Sequence, residues 1–255
     1  MNYDSMQLLS ERVGLEGTGE SFRTPMLYRF CEICLPTIIR SITNIHFQGL
    51  RNIPRTGAAI FTGNHLSNLD PFIKIIAAQR PIHFLAKEGH FQKQPNRFVM
   101  INTGQIETFR DSGAKDALAR AADVLQSGGC LGIFPEGTRS RAEKPPFLQR
   151  GKTGVARLAA RFPEVPIVPI SIIGARDFLP PGANFPRFWK RVEVIIDEPV
   201  TFGNWAIQED GGNLSLEEVE EICLLDEEVR SNRMSPIYRR FTDQLIETLR
   251  LRGAP

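Results

Sequence analysis

The sequence predicts an α/β fold: a single domain built on a mostly parallel sheet flanked by helices, with an amphipathic helix ahead of it and extra helices behind. Two observations carry this. Seven short apolar runs alternate with stretches of helical periodicity, the pattern of strands joined by crossover helices. A length of 255 residues with 42% hydrophobic and 24% charged composition suits one domain with a core of its own. The same composition excludes a disordered or collagen-like chain.

Taken in order, residues 1–25 read as a poorly specified N-terminal tail. From Met26 to Thr43 the apolar residues Leu27, Phe30, Cys34, Ile38 and Ile42 recur near helical spacing, and Pro36 is expected to kink or split that helix. Such a segment either packs on the domain or lies in a membrane interface. Strands are expected at Ile45–Gln48, Ala58–Thr62, Ile82–Ala86, Gln105–Phe109, Cys130–Phe134, Ile167–Ile172 and Val192–Ile196. Helices are expected at Pro71–Gln79, at Ala114–Gln126 closed by Gly128, and at Thr153–Arg161 stopped by Pro163. Residues 177–191, rich in Pro, Phe and Arg, read as a loop. Ser215 and Glu218 form a capping box opening an acidic helix over 215–229, and Ser235-Pro236 opens a last helix ending near Leu251. The expected organisation is a tail at 1–25, the amphipathic helix at 26–44, the principal domain at 45–200 and C-terminal helices at 201–255.

Cysteine use and segment hydropathy narrow the setting. Four scattered cysteines do not make a disulfide framework in a domain of this size. Cys31 and Cys34 lack a second pair at zinc-site spacing and read as ordinary buried thiols, so the compartment reads as reducing and cytoplasmic. The first twenty residues lack an apolar run with a cleavage site, so no secretory signal is read. The longest stretch free of Asp, Glu, Lys and Arg, residues 56–69, is too short and polar to span a bilayer.

A formal net charge of +2 argues against a dedicated nucleic-acid binder. That figure averages two unlike parts. Residues 204–229 hold nine acids and no Lys or Arg, leaving 31 basic against 20 acidic residues elsewhere, a formal +11. A basic body suits anionic headgroups, CoA phosphates or an acidic carrier protein.

Several common chemistries find no support. Gly151-Lys152-Thr153 fails as a phosphate loop because Pro146 stands where the first glycine is required. The chain carries no nucleophile elbow, no His-Glu-x-x-His and no dinucleotide fingerprint, so neither a cofactor nor a metal is expected. The informative segment is TGNHLSNLDP at 62–71. His65 falls in the loop after a strand, and Asp70-Pro71 reads as an N-cap with proline at the first helical position. On a helix a five-residue spacing would separate the two side chains. A loop lets the carboxylate fold back, accept the imidazole N–H and stabilise the imidazolium. The bland alternative is a loop histidine beside an unrelated capping aspartate. Phe134-Pro135-Glu136-Gly137-Thr138-Arg139-Ser140 follows another strand, where backbone N–H groups, a hydroxyl and a guanidinium suit an anion. The segment from Gly104 to Arg110 also ends a strand with an arginine.

The ordered set of His65-x4-Asp70, Gly104-x5-Arg110, Glu136-Gly137-Thr138-Arg139-Ser140 and Val165–Ile170 resembles the four motif blocks of the glycerolipid acyltransferase family. Within it, the bacterial 1-acylglycerol-3-phosphate acyltransferases are the nearest likeness, over roughly residues 45–200, and Lys87-Glu88 adds a further family feature. The resemblance implies a glycerol-3-phosphate acyltransferase-like fold and transfer of a fatty acyl group from acyl-CoA or acyl carrier protein (acyl-ACP) to the sn-2 hydroxyl of 1-acylglycerol-3-phosphate, giving phosphatidate. It implies His65 as general base and Asp70 as its orienting partner, with no covalent acyl-enzyme. Arg110 and Arg139 would hold the acceptor phosphate, with Glu136, Gly137, Thr138 and Lys87 at the same substrate site. The block around Pro169 is either on the acyl-donor side or simply a core strand.

A lysophospholipid acceptor implies a membrane surface as partner, at its cytoplasmic face. Residues 26–43 then become the leading interfacial anchor, with Phe185, Phe188 and Trp189 among Arg187, Lys190 and Arg191 as a second. Two features depart from the family: the stretch after Lys87, with His90 and a basic loop, and the acidic C-terminal helix. Other readings are an acyltransferase for a different lysophospholipid or lipid alcohol, a thioester hydrolase, and a non-catalytic lipid-binding protein, which loss of His65 or Asp70 would have signalled.

Overall fold

All seven apolar runs form strands, within a residue or two of the expected bounds, and they join in one sheet. The computed structural model describes residues 3–109, 113–183 and 185–255. Its first half runs α1 (Tyr3–Arg12), α2 (Met26–Ile42), β1 (Ile45–Gln48), β2 (Ala59–Gly63), α3 (Asp70–Ala78), β3 (Ile82–Lys87), α4 (Asn96–Asn102), β4 (Ile106–Thr108) and α5 (Gly113–Gln126). The second half runs β5 (Cys130–Ile133), α6 (Gly154–Arg161), β6 (Ile167–Ile173), α7 (Ala175–Phe178), β7 (Val192–Ile196), α8 (Phe202–Ile207), α9 (Leu216–Leu224) and α10 (Glu227–Leu251).

The strand order is β1-β7-β6-β2-β5-β3-β4, parallel throughout except for the β6–β7 pair. β2, β5 and β6 are covered on both faces, which is why their sequences read as near-continuous apolar runs. Alternation sorts their side chains between two cores. Ile60, Leu131 and Ile167 meet α1, α5, α6 and α8–α10, while Phe61, Cys130 and Val168 meet α3 and α7. Helix α3 leaves β2 on one face and α6 follows β5 on the other, so a crevice opens at their carboxyl ends, where ligands bind in open α/β sheets.

The termini correct the sequence reading. Residues 1–25 are not an unstructured tail: α1 buries Met6 and Leu9 against the second-half helices, and Leu15 is buried further along. The segment is also tied by hydrogen bonds, with Thr18 donating to Asp123 through both N–H and hydroxyl and Arg161 donating to the Leu15 carbonyl. Its apolar stripe is only two residues wide, so its burial is set by the α9 and α6 surfaces it covers rather than by local periodicity.

Helix α2 runs unbroken through Pro36, which is buried, while Arg40 donates to the Ile76 carbonyl near the end of α3. Of the two readings of the apolar stripe, packed on the domain or turned away from it, the second holds: Phe30 is 66% and Ile38 55% exposed. Cys34 is likewise exposed and Cys31 half-buried, so the two thiols are not the buried pair expected.

The acidic helix stops at Leu224, with Leu225 and Asp226 extended, and α10 begins at Glu227. It passes through Pro236 instead of starting there. The buried stripe of Met234, Tyr238, Phe241, Leu245 and Leu249 extends N-terminal of the proline, and that packing outweighs the hydrogen bond the proline cannot make. The capping box of Ser215 and Glu218 forms as expected.

Candidate active site

The carboxyl end of β2 passes into Gly63-Asn64-His65, and backbone pairing fixes that exit. Gly63 pairs with Ile170 of β6, and a Cβ there would collide with the Ile170 carbonyl oxygen. Asn64 then bonds both backbone groups of Ile172, donating to its carbonyl and accepting its N–H at 2.8 Å each. His65 leaves the sheet from this locked point.

Its imidazole Nδ1 lies 2.9 Å from Asp70 Oδ2, with His65 18% exposed at the side chain and Asp70 1%. Asp70 is the first residue of α3 rather than its N-cap, which is Leu69. Its carboxylate turns back onto the loop: Oδ2 also accepts the N–H groups of Leu66 at 2.6 Å and Ser67 at 2.7 Å. A carboxylate only accepts, so Nδ1 carries the proton and Nε2 keeps its lone pair. Burial lowers the His65 pKa below the usual histidine value of 6.5, and the charges of Lys74 and Arg139 push the same way. The hydrogen bond and charge of Asp70 oppose them. A neutral imidazole with one nitrogen oriented and the other free is a general base at neutral pH.

The loop after β5 builds the other wall. Phe134 stacks on the His65 ring at 3.9 Å between centroids and 14° between planes. Glu136 is buried, and both oxygens are taken by backbone: Oε1 accepts His65 N–H at 2.7 Å and Oε2 accepts Gln149 N–H at 3.0 Å. Burial raises its pKa, while those two N–H groups and the Lys74 ammonium hold it down. Glu136 therefore fastens His65 rather than presenting a free carboxylate to a ligand. Ser140 N–H donates to the His65 carbonyl, closing a second link between the two loops.

Gly137, Thr138 and Arg139 are exposed at the mouth. Gly137 has φ +70, and the Lys152 side chain lies across it, 3.0 Å from where a Cβ would stand. A hydroxyl, a guanidinium and an ammonium thus gather at the carboxyl end of β5 beside His65. Such a set can hold an anion.

The protein-family model described as Acyltransferase matches residues 44–173, from just before β1 to the end of β6. The chain belongs to this acyltransferase family. It is 31% identical over 132 residues to the 1-acyl-sn-glycerol-3-phosphate acyltransferase of Borreliella burgdorferi, covering 51% of each chain. It is 29% identical to the chloroplastic enzyme of that name from Arabidopsis thaliana, over 61% of this chain and 43% of that one. The match to the Bacillus subtilis enzyme is 25% identical and covers 71% of this chain and 85% of the other. This chain thus spans about half or less of the first two relatives. The crystal structure of the 1-acyl-sn-glycerophosphate acyltransferase PlsC from Thermotoga maritima shares the fold, with a TM-score of 0.54 and 23% identity over 82% of this chain and 78% of that one.

Against the family's motif blocks, His65, Asp70 and the Glu136–Ser140 segment come together as described. Lys87 is exposed at the carboxyl end of β3, on the same edge of the sheet. Arg110 lies outside the described residues. The block around Pro169 is the buried strand β6, with Pro169 opposite Thr62 of β2. A cleft of about 720 Å³ lined by Phe22, Arg97, Glu107 and Arg120 lies against β4 and does not include His65.

Sequence reasoning missed Asn64, Phe134 as a ring partner, Lys152 and Lys74. Asn64 is adjacent to the histidine and could have been read as a lock. Lys74 stands alone among the apolar residues of FIKIIAA, an irregularity visible in the sequence.

Proposed function

We propose that the chain is an O-acyltransferase that moves a fatty acyl group from a thioester donor, acyl-CoA or acyl-ACP, to the sn-2 hydroxyl of 1-acylglycerol-3-phosphate, giving phosphatidate. The observation that carries this reading is the His65–Asp70 pair at the end of the central strand, in which Nδ1 is engaged by the carboxylate and Nε2 is the ring nitrogen left to accept a proton.

In the proposed reaction Nε2 takes the hydroxyl proton as the acceptor oxygen attacks the thioester carbonyl carbon. A C–O bond forms and the carbonyl electrons move to oxygen. Collapse of the tetrahedral intermediate breaks the C–S bond, and the leaving sulfur takes the proton from Nε2. His65 returns to its starting state without an acyl-enzyme. Asp70 favours the imidazolium that exists between the two proton transfers. Arg139 and Lys152 supply positive charge for the acceptor phosphate, with Thr138 and the Gly137 turn beside them. Arg110 is assigned to the same phosphate, and Lys87 to the substrate site, on the family resemblance.

No helix is long and apolar enough to cross a membrane among the described residues. The proposed route to a bilayer-resident acceptor is α2, which exposes Leu27, Phe30, Ile33, Leu35, Ile38 and Ile42 and would lie in the interface at the cytoplasmic face. Phe185 and Trp189, 83% and 72% exposed, extend the apolar surface near the start of β7.

The test is phosphatidate formation by purified protein from lysophosphatidate with acyl-CoA and with acyl-ACP. His65→Ala is expected to abolish transfer while the circular dichroism and Tm stay near wild type. Turnover by His65→Ala at the wild-type rate refutes the base. Thiol release that does not depend on acceptor refutes transfer in favour of hydrolysis.

A further inference from the structure

Beyond Asp70 at its start, helix α3 turns a second charged residue, Lys74, inward, and that residue is fully buried. The proposed acyl-transfer scheme does not use it. An apolar side chain of similar length would fill the same space, and a buried ammonium is costly. The surroundings show what the charge faces. Lys74 Nζ has no hydrogen-bond partner among the described residues and sits 3.9 Å from the centroid of the Phe134 ring. That ring is the one stacked on His65. Gly63 leaves the room: a Cβ at that position would stand 2.8 Å from Nζ. One turn earlier on α3, Asp70 Oδ1 is also buried without a hydrogen-bond partner.

We propose that Lys74 is a positioning residue of the His65 site: its ammonium, held over the Phe134 ring, offsets the Asp70 and Glu136 carboxylates and keeps the imidazole unprotonated and able to accept a proton. This rests on His65 being the base.

The charge accounting supports it. Two buried carboxylates flank His65, Asp70 bonded to its ring and Glu136 to its backbone N–H, and the hydrogen bond and charge of Asp70 favour a proton on the imidazole. A protonated imidazole accepts nothing. Against it stand burial first, and then the charges of Lys74 from α3 and Arg139 from the loop after β5, all opposing that proton. From its own side, Lys74 faces Asp70 on α3 and Glu136 on the β5 loop. Arg40 of α2 is committed to the Ile76 and Ala77 carbonyls at the far end of α3. Burial pulls Lys74 down to about 7, and the two carboxylates resist that. Asp70 and Glu136 thus favour the ammonium form of Lys74 as the pH falls, while the ammonium and burial disfavour the imidazolium of His65. The charge is present over the range in which it is needed.

The experiment is the pH profile of kcat/KM for wild type and Lys74→Met, together with NMR titration of the His65 imidazole without substrate, its signal assigned by its loss in His65→Gln. The two 3.9 Å separations bring the ammonium within about 8 Å of the imidazole centre. At that range a unit charge, at an effective dielectric of about 20, is worth about 30-fold in a protonation equilibrium. In Lys74→Met the acid limb and the imidazole titration are expected to move together to higher pH. The rate below the limb should fall about 30-fold, with the alkaline plateau little changed. An unmoved limb, or an equal loss at every pH, overturns the proposal. Should Lys74→Met not fold, Lys74→Gln serves, and the wild-type titration is decisive alone: a His65 protonating at or above 6.5 overturns it. His65→Gln that still transfers acyl groups refutes the base itself, a separate failure that the substrate-free titration tells apart.

Discussion

Replacing Asp70 by Asn separates the two things its carboxylate does. Oδ2 accepts from His65 Nδ1, Leu66 N–H and Ser67 N–H at 2.6–2.9 Å. An asparagine oxygen in the same place keeps all three bonds, and the amide NH2 takes the position of Oδ1, which has no hydrogen-bond partner among the described residues. What is lost is the negative charge 2.9 Å from an imidazole that becomes cationic in the transition state. At an effective dielectric of about 20 that Coulomb attraction is about 6 kcal/mol, and net charge-assisted hydrogen bonds are worth about 1.5–3 kcal/mol. An intermediate loss of about 3–5 kcal/mol corresponds to a fall in kcat between about 10²- and 10⁴-fold. Asp70→Ala adds a structural cost, because the Leu66 and Ser67 N–H groups lose their acceptor at about 1–3 kcal/mol each. Phosphatidate formation at saturating substrate reads kcat, and thermal denaturation reads stability. Asp70→Asn should be nearly inactive with a Tm near wild type, and Asp70→Ala inactive with a Tm lowered by several degrees. An Asp70→Asn enzyme within about threefold of wild type would show that the charge does nothing for the imidazolium, and the reasoning fails.

Two further predictions concern the scaffold and the membrane. His83 is fully buried between the Gly104 carbonyl at 2.9 Å and the Thr24 hydroxyl at 3.0 Å, and burial pulls its pKa from 6.5 down to about 4. The unfolded chain therefore takes up this proton first. Stability is full above pH 6.5 and falls by about 3 kcal/mol as the pH drops to 4, and urea midpoints against pH should show a shallower slope in His83→Gln; an unchanged slope refutes the assignment. For α2, Phe30→Glu combined with Ile33→Asp should weaken binding to anionic vesicles at least about 30-fold without lowering Tm, since both side chains are exposed and each is worth about 1.5–3 kcal/mol when buried. Equal cosedimentation of variant and wild type would exclude α2 as the anchor.

The interior strands were legible because burial on both faces writes a continuous apolar run that no solvent-facing residue interrupts, as in IVPISII of β6. The edges of the fold were not, for a common reason: there the partner surface decides. Helix α1 offers Met6 and Leu9 to helices more than 140 residues away in sequence, and local periodicity carries no trace of a surface so distant. The stripe of α2 was visible as a stripe, but amphipathicity does not say which side the protein lies on. Here Tyr28 and Pro36 turn inward and the aliphatic row turns out. At α10 the proline rule gave way because one continuous stripe, from Met234 to Leu249, packs on both sides of Pro236.

The site divides along a similar line. His65 and Asp70 were readable through the ordered set of motif blocks, since the five-residue spacing by itself also suits a loop histidine beside an unrelated capping aspartate. Their coupling to Glu136 was not, since its two oxygens choose backbone N–H groups of His65 and Gln149, and any sequence supplies those groups. That choice explains why two segments 71 residues apart act as one unit: the β5 loop holds the His65 backbone through Glu136 and Ser140 and faces its ring with Phe134. A lesion at Glu136 therefore acts on His65 before it acts on any substrate. Lys74 is the extreme case of the same blindness. Helical periodicity assigns a lysine to the solvent face by default. Its place beneath the site follows only from the space at Gly63 and the ring of Phe134, both contributed by strands and loops outside its own helix. Charges buried for their effect on a neighbour leave a sequence signal only as an exception to a pattern, and in FIKIIAA the exception is one residue.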